Sequence, residues 1–451
     1  LWIRGRAREK LGMMEEAAAD YMQLSREYPS RAFARDAAER RMKIGGRMLD
    51  RAVEDDGDVR AQREQLVEAF DVLLDHWSED RHADQWRLNR GWQCSRLAAS
   101  AQKDETFQHW AARAVDSYTT IERGGHLGRM ARFLELHQRY RLMRRMSKAG
   151  RDEVDDLIDR LRAFSVRLQE NMGAKTILKE TSEKKLQDWA SRCALYALIL
   201  RDAILDDSEA REQLHEFGSE WPGQPAVLEA YRYLFQTALT EERYGDVSDI
   251  LRAIQEQGKV DLTRELTWRF LGQVQQVLRE EGESRVDKDT KEGYAKWARW
   301  LHEHTAEESQ LFEPAVKFYA DALARSGDTS RVRRALKLYD EHGIGGDNDR
   351  QMGETAEVDV GARIGRSRCL KKLGRYGEAV KVLTPLCSGL PRDSEAFWTA
   401  QIERAECIAK NGDETARRQL TTLIRQLRDI DAGLGRPSVR KRFMKLQTEL
   451  E

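Results

Sequence analysis

The sequence predicts an all-α chain, a solenoid of about ten antiparallel helix hairpins finished by a C-terminal capping helix. Three observations lead there. A short motif is written three times, as "EAAADYMQLSREYP" at 16–29, "EAREQLHEFGSEWP" at 209–222 and "EAVKVLTPLCSGLP" at 378–391. The copies share an internal period: Leu205, just before the second copy, and Gly374, just before the third, lie 169 residues apart, within one residue of five units of 34. Elsewhere apolar residues recur at helical spacing, and alternation of period two is absent over any useful length.

The motif itself reads as a packed helix. Its aligned positions are Glu16-Ala17, Glu209-Ala210 and Glu378-Ala379, then Tyr21, Leu214 and Leu383, then Leu24, Phe217 and Leu386, then Tyr28, Trp221 and Leu390. Steps of four, three and four put every apolar member on one helical face. Alanine adds no bulk there, which lets a neighbouring helix approach to about 8–10 Å. Pro29, Pro222 and Pro391 close the copies, because proline cannot extend a helix and forces the preceding residue out of it. Gly12 in Lys10-Leu11-Gly12 and Gly374 in Lys372-Leu373-Gly374 supply the left-handed turn from the preceding helix, and Leu205 takes that place in the middle copy. The unit is helix, turn, helix, stop.

The other elements follow in chain order. An alanine-rich helix succeeds the first copy, and "REQLVEAFDVLLDHW" sets Leu66, Val67, Phe70, Leu73, Leu74 and Trp77 on one stripe. Helix pairs are then expected at 83–102 with 104–122 and at 125–149 with 151–172, where Leu157, Leu161, Phe164 and Leu168 carry the stripe. More pairs follow at 226–240 with 244–257, 262–281 with 287–304, 307–326 with 328–343, 356–373 with 375–389, and 393–411 with 413–428. Glycine-rich stretches separate them at 122–125, 171–174 and 280–284, and the longest, "EHGIGGDNDRQMGE" at 341–354, is expected to be an exposed loop. Pro437 suits the first turn of the closing helix, whose polar residues suit a cap. The array divides as 1–172, 173–345, and 346–451 with its cap, one continuous solenoid. It opens at Leu1 inside a helical pattern, which reads as a piece of a longer polypeptide.

Composition agrees with many amphipathic helices and no single large core: 34% charged and 40% hydrophobic residues, with only seven prolines. A net charge of −1 gives the whole molecule no pull on nucleic acid or an acidic membrane. Five scattered cysteines form no C-x-x-C pair and encode neither a disulfide framework nor a zinc cage. Cys387 and Cys407 fall where helix cores are expected, as buried free thiols. No apolar run reaches the roughly 18–20 residues of a membrane span.

The motif resembles the tetratricopeptide repeat family, closely at 1–29 and 361–430 and moderately at 186–260. The first copy with its continuation "EYPSRAFARDAAERRMKIG" is similar to bacterial envelope proteins built from these repeats, so a bacterial cytoplasm or cell envelope is the implied setting. The resemblance implies a right-handed solenoid. It also implies that the first helix of each hairpin lines a concave groove for peptides or partner helices. Carried onto this chain, Arg368, Lys371 and Lys372 face that groove, with Glu403 and Glu406 from the next hairpin. The Lys/Asn/Arg clamp that some members use for a C-terminal carboxylate is not recognisable.

Other candidate sites compete with bland readings. Asp155-Asp156-Leu157-Ile158-Asp159 matches the DDxxD motif by which all-helical terpene synthases hold Mg²⁺ around a diphosphate. A second metal motif is missing, Leu157 and Ile158 continue a packing stripe, and acids in a first turn are favoured by the helix dipole anyway. His302 and His304 stand two apart and do not share a helical face. No HExxH, P-loop or GxSxG occurs. Residues 123–151 carry nine Arg or Lys against one acid, Glu135. Arg139, Arg141, Arg144, Arg145 and Lys148 could hold RNA, an acidic peptide or anionic lipid. The competing reading is a solvated face paired with the acidic helix that follows, and the basic run from Arg436 to Lys445 reads likewise as a terminal cap. The expectation is a non-enzymatic scaffold without cofactor or metal that binds a partner protein on its curved surface. Its length and several exposed-looking tryptophans suggest a module of a larger polypeptide or assembly. The alternatives are a polyanion-binding regulator using 123–151 and a Mg²⁺ enzyme using Asp155 and Asp159.

Overall fold

The computed structural model describes residues 1–122, 124–146, 149–173, 182–280, 285–326, 328–342, 356–411, 414–435 and 437–450. These residues form twenty-one α-helices and one short 3₁₀ turn, Asn171–Gly173, with no strand among them. Ten successive helix pairs and a closing helix result. The chain packs as two units, Leu1–Leu234 and Phe235–Glu451.

The first unit contains α1 (Trp2–Lys10), α2 (Met14–Glu27), α3 (Ala34–Glu54), α4 (Val59–Trp77), α5 (Ala83–Ser100), α6 (Asp104–Thr119), α7 (Gly125–Arg145), α8 (Arg151–Glu170), α9 (Glu183–Leu205) and α10 (Ser208–Glu220). The unit boundary falls inside α11 (Pro225–Thr240). The second unit continues with α12 (Tyr244–Glu256), α13 (Val260–Glu280), α14 (Lys288–Glu303), α15 (Phe312–Arg325), α16 (Thr329–Glu341) and α17 (Ala356–Lys372). It ends with α18 (Tyr376–Gly389), α19 (Glu395–Asn411), α20 (Glu414–Ile430) and α21 (Pro437–Leu450).

Within each unit the substantial helix contacts join a helix to the next in sequence or to the next but one. That is solenoid packing. The apolar residues accordingly gather in a series of small cores. Tyr21, Leu24, Ala37 and Ile44 make the first, Leu49, Leu66, Phe70, Leu73 and Trp86 the next, and Leu88, Cys94, Leu97, Tyr118 and Ile121 another. At the far end of the second unit Trp398, Ile402, Leu420, Leu427 and Phe443 join α19, α20 and α21.

The repeat residues do what their spacing predicts. Ala17, Ala210 and Ala379 are fully buried, as are Tyr21, Leu214 and Leu383. Tyr28 departs from the pattern: it follows the end of α2 and is 44% exposed. Gly12 and Gly374 take φ of +79° and +75°, and no neighbour would crowd a side chain at either, so the backbone alone asks for glycine. The turns close identically, with Met13 N–H bonding Arg8 O and Arg375 N–H bonding Leu370 O, each at 2.9 Å. In the middle copy the left-handed residue is Asp206 (φ 53°), one position later than the expected Leu205. Asp207 then caps α10 by accepting from the backbone N–H groups of Glu209 and Ala210, which tightens the turn by a residue.

One further copy carries no glycine at its turn. Arg243-Tyr244-Gly245-Asp246-Val247 parallels Arg375-Tyr376-Gly377-Glu378-Ala379, and Glu242 (φ 57°) stands where Gly374 does. The same closing bond forms there, Arg243 N–H to Ala238 O at 2.9 Å. Helix glycines serve a different purpose. A methyl on Gly5 would lie 2.7 Å from the Tyr21 ring, and one on Gly91 2.5 Å from the Tyr118 ring. Gly365 faces Tyr339 with equally little space. Two hairpins, and one joint between successive hairpins, therefore seat a tyrosine against a bare stretch of backbone.

All five cysteines are buried and free. Burial pushes the thiols of Cys94, Cys387 and Cys407 up to about 11. The tryptophans are largely covered, contrary to expectation: Trp86, Trp189, Trp297, Trp300 and Trp398 are buried, and Trp92 is exposed. No described helix is long and apolar enough to cross a membrane.

Candidate functional site

Contacts between alternate helices decide where a site can form. In the first unit α7 touches α5 and α9, and in the second α17 touches α15 and α19, while α19 also touches α21. In these two stretches odd-numbered helices stand side by side as a wall, whereas α2 touches α4 and α12 touches α14 elsewhere in the units. Arg368, Lys371 and Lys372 on α17 and Glu403 and Glu406 on α19 belong to that wall.

The structure brings Arg368, Lys371, Glu403 and Glu406 together, with Arg442 of α21 as a fifth member, and leaves Lys372 out of the cluster. Arg368 Nε donates to Glu403 Oε1 at 2.9 Å, and Arg442 Nη2 reaches the same oxygen at 3.0 Å. Lys371 Nζ bonds Glu403 Oε2 and also Glu406 Oε2, the latter at 2.7 Å. Arg442 Nε donates to Glu406 Oε1 at 2.7 Å. Lys372 Nζ turns the other way and donates to Ala324 O on α15 at 2.7 Å. Side chains therefore stitch α15, α17, α19 and α21 in succession.

Glu403 sits at the centre, its side chain 4% exposed. Burial works to raise its pKa, but Arg368, Lys371 and Arg442 outweigh that and hold the carboxyl well below the usual range. The same balance raises Arg442, whose own burial is overcome by Glu406 and Glu403. Three cations face two carboxylates, and both Glu403 oxygens are already engaged. Next to this seam Asp321 of α15 accepts from Tyr339 Oη at 2.6 Å and from Gln275 Nε2 at 2.7 Å.

The basic segment of α7 resolves into two groups. Glu135, buried in that helix, gathers Arg132 at 2.5 Å, Arg139 at 2.9 Å and Arg160 of α8 at 2.5 Å. Burial would raise the Glu135 carboxyl, yet the surrounding guanidiniums bring it below its ordinary value. Arg145 pairs with Asp104 at 2.7 Å and donates to Ala101 O and Gln102 O. These partners replace the acidic helix named from sequence: Asp155, Asp156 and Asp159 point to solvent, and Asp156 pairs with Arg160 of its own helix. Arg141 and Arg144 have rings for partners, Arg141 5.5 Å from the centre of Phe107, which Arg145 also covers at 4.5 Å, and Arg144 5.4 Å from that of Tyr233. Lys148, Arg123 and Arg436 fall outside the described residues, as does most of 341–354.

Leu157 and Ile158 are buried beneath the exposed aspartates, so the DDxxD stretch serves packing. Among the described residues no group of three His, Cys, Asp or Glu stands close enough to hold a metal ion. His302 stacks on Tyr319 at 5.4 Å, whereas His304 turns back onto Trp300 at 4.3 Å, so the two diverge as their spacing predicts.

No family model and no curated protein matches the chain. Among solved structures it is similar to a chain in the structure of Naa15/Naa10 bound to HypK-THB, at 12% identity and a TM-score of 0.24, over 96% of this chain and 66% of that one. The chain thus spans just under two thirds of its neighbour's length. A likeness of that size carries no argument, and the packing described above stands without it.

Sequence reasoning missed Arg442, Asp321 and Gln275. Arg442 was visible only as part of a basic run, and no local signal ties it to a glutamate 39 positions away.

Proposed function

We propose that this chain is a non-enzymatic scaffold of tetratricopeptide-repeat type that binds a partner protein or peptide along its wall of odd-numbered helices. One observation carries the reading: α5, α7 and α9 in the first unit, and α15, α17, α19 and α21 in the second, line up side by side, so that in each of these stretches one set of helix faces forms a shared surface. A packing of this kind spends its apolar residues between neighbours and leaves a long polar surface for recognition. Arg368, Lys371, Glu403 and Glu406 shape that surface by fixing α17, α19 and α21 against one another. An ordinary specific interface needs about 1,600 Å² in total, which a few adjacent hairpins supply.

The test is hydrogen–deuterium exchange of the intact chain with and without a protein recovered by affinity capture. Protection concentrated on α5, α7 and α9, or on α15, α17 and α19, is the expected result. Protection confined to even-numbered helices would overturn the reading.

A further inference from the structure

We infer that the end of α7 bearing Tyr140, Arg141 and Arg144 is the docking place for an acidic peptide segment of a partner protein. The inference rests on the scaffold reading and names the partner's chemistry.

The charge balance of α7 is the starting point. Glu135 pairs with Arg132 and Arg139, and Asp104 with Arg145. Among the described residues no carboxylate reaches ion-pairing distance of Arg141 or Arg144, whose partners are the rings of Phe107 and Tyr233. A nearby acid, Glu229, is already bound to Arg192. Arg141 is half-buried, and its guanidinium is held below its ordinary pKa by that burial and by Arg145 beside it. An incoming carboxylate would offset both by pairing with the guanidinium.

The rings distinguish a peptide from a nucleic acid. Tyr140 stacks on Tyr196 at 4.2 Å, Tyr196 meets His137 at 5.3 Å, His137 stacks on Phe133 at 6.2 Å, and Phe133 stacks on Trp189 at 5.6 Å. Single-stranded nucleic acid binds by laying bases on free ring faces between cations. Here the faces already cover one another, and the two remaining cations cover two more. Neither guanidinium is in an ion pair among the described residues, and its planar set of donors suits a carboxylate. Arg141 and Arg144 lie three apart on the helix, so acids in an extended or helical peptide can address both.

The experiment uses the intact chain and a fluorescently labelled synthetic peptide of alternating Glu and Ala, followed by anisotropy at physiological ionic strength. A single-stranded oligonucleotide of equal charge is the comparison. Saturable peptide binding is expected, weakened about tenfold or more by the paired change Arg141→Glu and Arg144→Glu. Lys441→Glu with Lys445→Glu, exposed bases of α21, should leave it unchanged. Arg144→Ala alone, at an exposed position, repeats the test where refolding of the double variant is in question. Equal peptide binding by wild type and the α7 variants, or tighter oligonucleotide binding lost in those same variants, overturns the inference. If peptide binding is absent while a captured protein still protects the odd-numbered helices, only this inference falls. If no protein protects them but the peptide binds through α7, the scaffold reading falls instead.

Discussion

Replacing Glu403 by glutamine removes one charge and almost no volume from the centre of the seam. Lys371 and Arg442 then share Glu406, and Arg368 loses the carboxylate it pairs with. Breaking a buried ion pair by deleting one partner costs about 3–5 kcal/mol, because the remaining charge is left without compensation. Arg368 and Arg442 keep 36% and 37% of their side-chain surface, so water takes up part of that loss, and the glutamine oxygen still accepts one bond. A cost of about 2–3 kcal/mol follows. For a unit of this size that lowers the thermal midpoint by roughly 4–12 °C. Calorimetry reads the shift, and exchange on α17, α19 and α21 locates it. The pH profile gives a second check. In the folded chain the carboxyl titrates well below its ordinary 4.5, so its contribution is complete above that pH and drains away as the solution becomes more acid. The wild type should therefore lose stability below pH 4.5 more steeply than Glu403→Gln. A midpoint within about a degree of wild type, with an unchanged acid limb, would refute the reasoning.

Other expectations follow from the packing. Ala379→Leu pushes a larger side chain into a filled joint, costing about 1–3 kcal/mol in urea denaturation and raising exchange in the adjoining helices only. Gly91→Ala gains about 1 kcal/mol of helix propensity yet drives a methyl into the Tyr118 ring, so net destabilisation is expected, and Tyr118→Leu should relieve it in a double-mutant cycle. Asp207→Ala strips the cap from α10 at a cost of about 1 kcal/mol by thermal melting. The folded chain should react slowly with a thiol reagent at pH 8, because its five cysteines are buried and the thiols of Cys94, Cys387 and Cys407 lie near 11, and all five should react once it is denatured.

The hairpins were legible because what makes them is local. A face spaced at 4, 3 and 4, an alanine where a neighbour presses and a proline stop are all written within fourteen residues. Asp206 and Glu242 were harder to see, since glycine is the usual mark of a left-handed turn and neither residue carries it. The seam was only half legible. Its α17 and α19 members follow from which helix of a pair faces the groove, whereas Arg442 and Asp321 arrive by tertiary packing that leaves no periodic trace. For α7 the sequence shows the excess of base, but Glu135 looks too scarce to matter until burial gives it three arginines.

Leaning only on near neighbours has a mechanical corollary. Tension applied to the ends of either unit finds no distant strut to brace it, so each hairpin bears the load in turn and yields at its own modest force. A force–extension trace should climb through many low, closely spaced steps and retrace them on relaxation, the behaviour of a spring rather than of a latch.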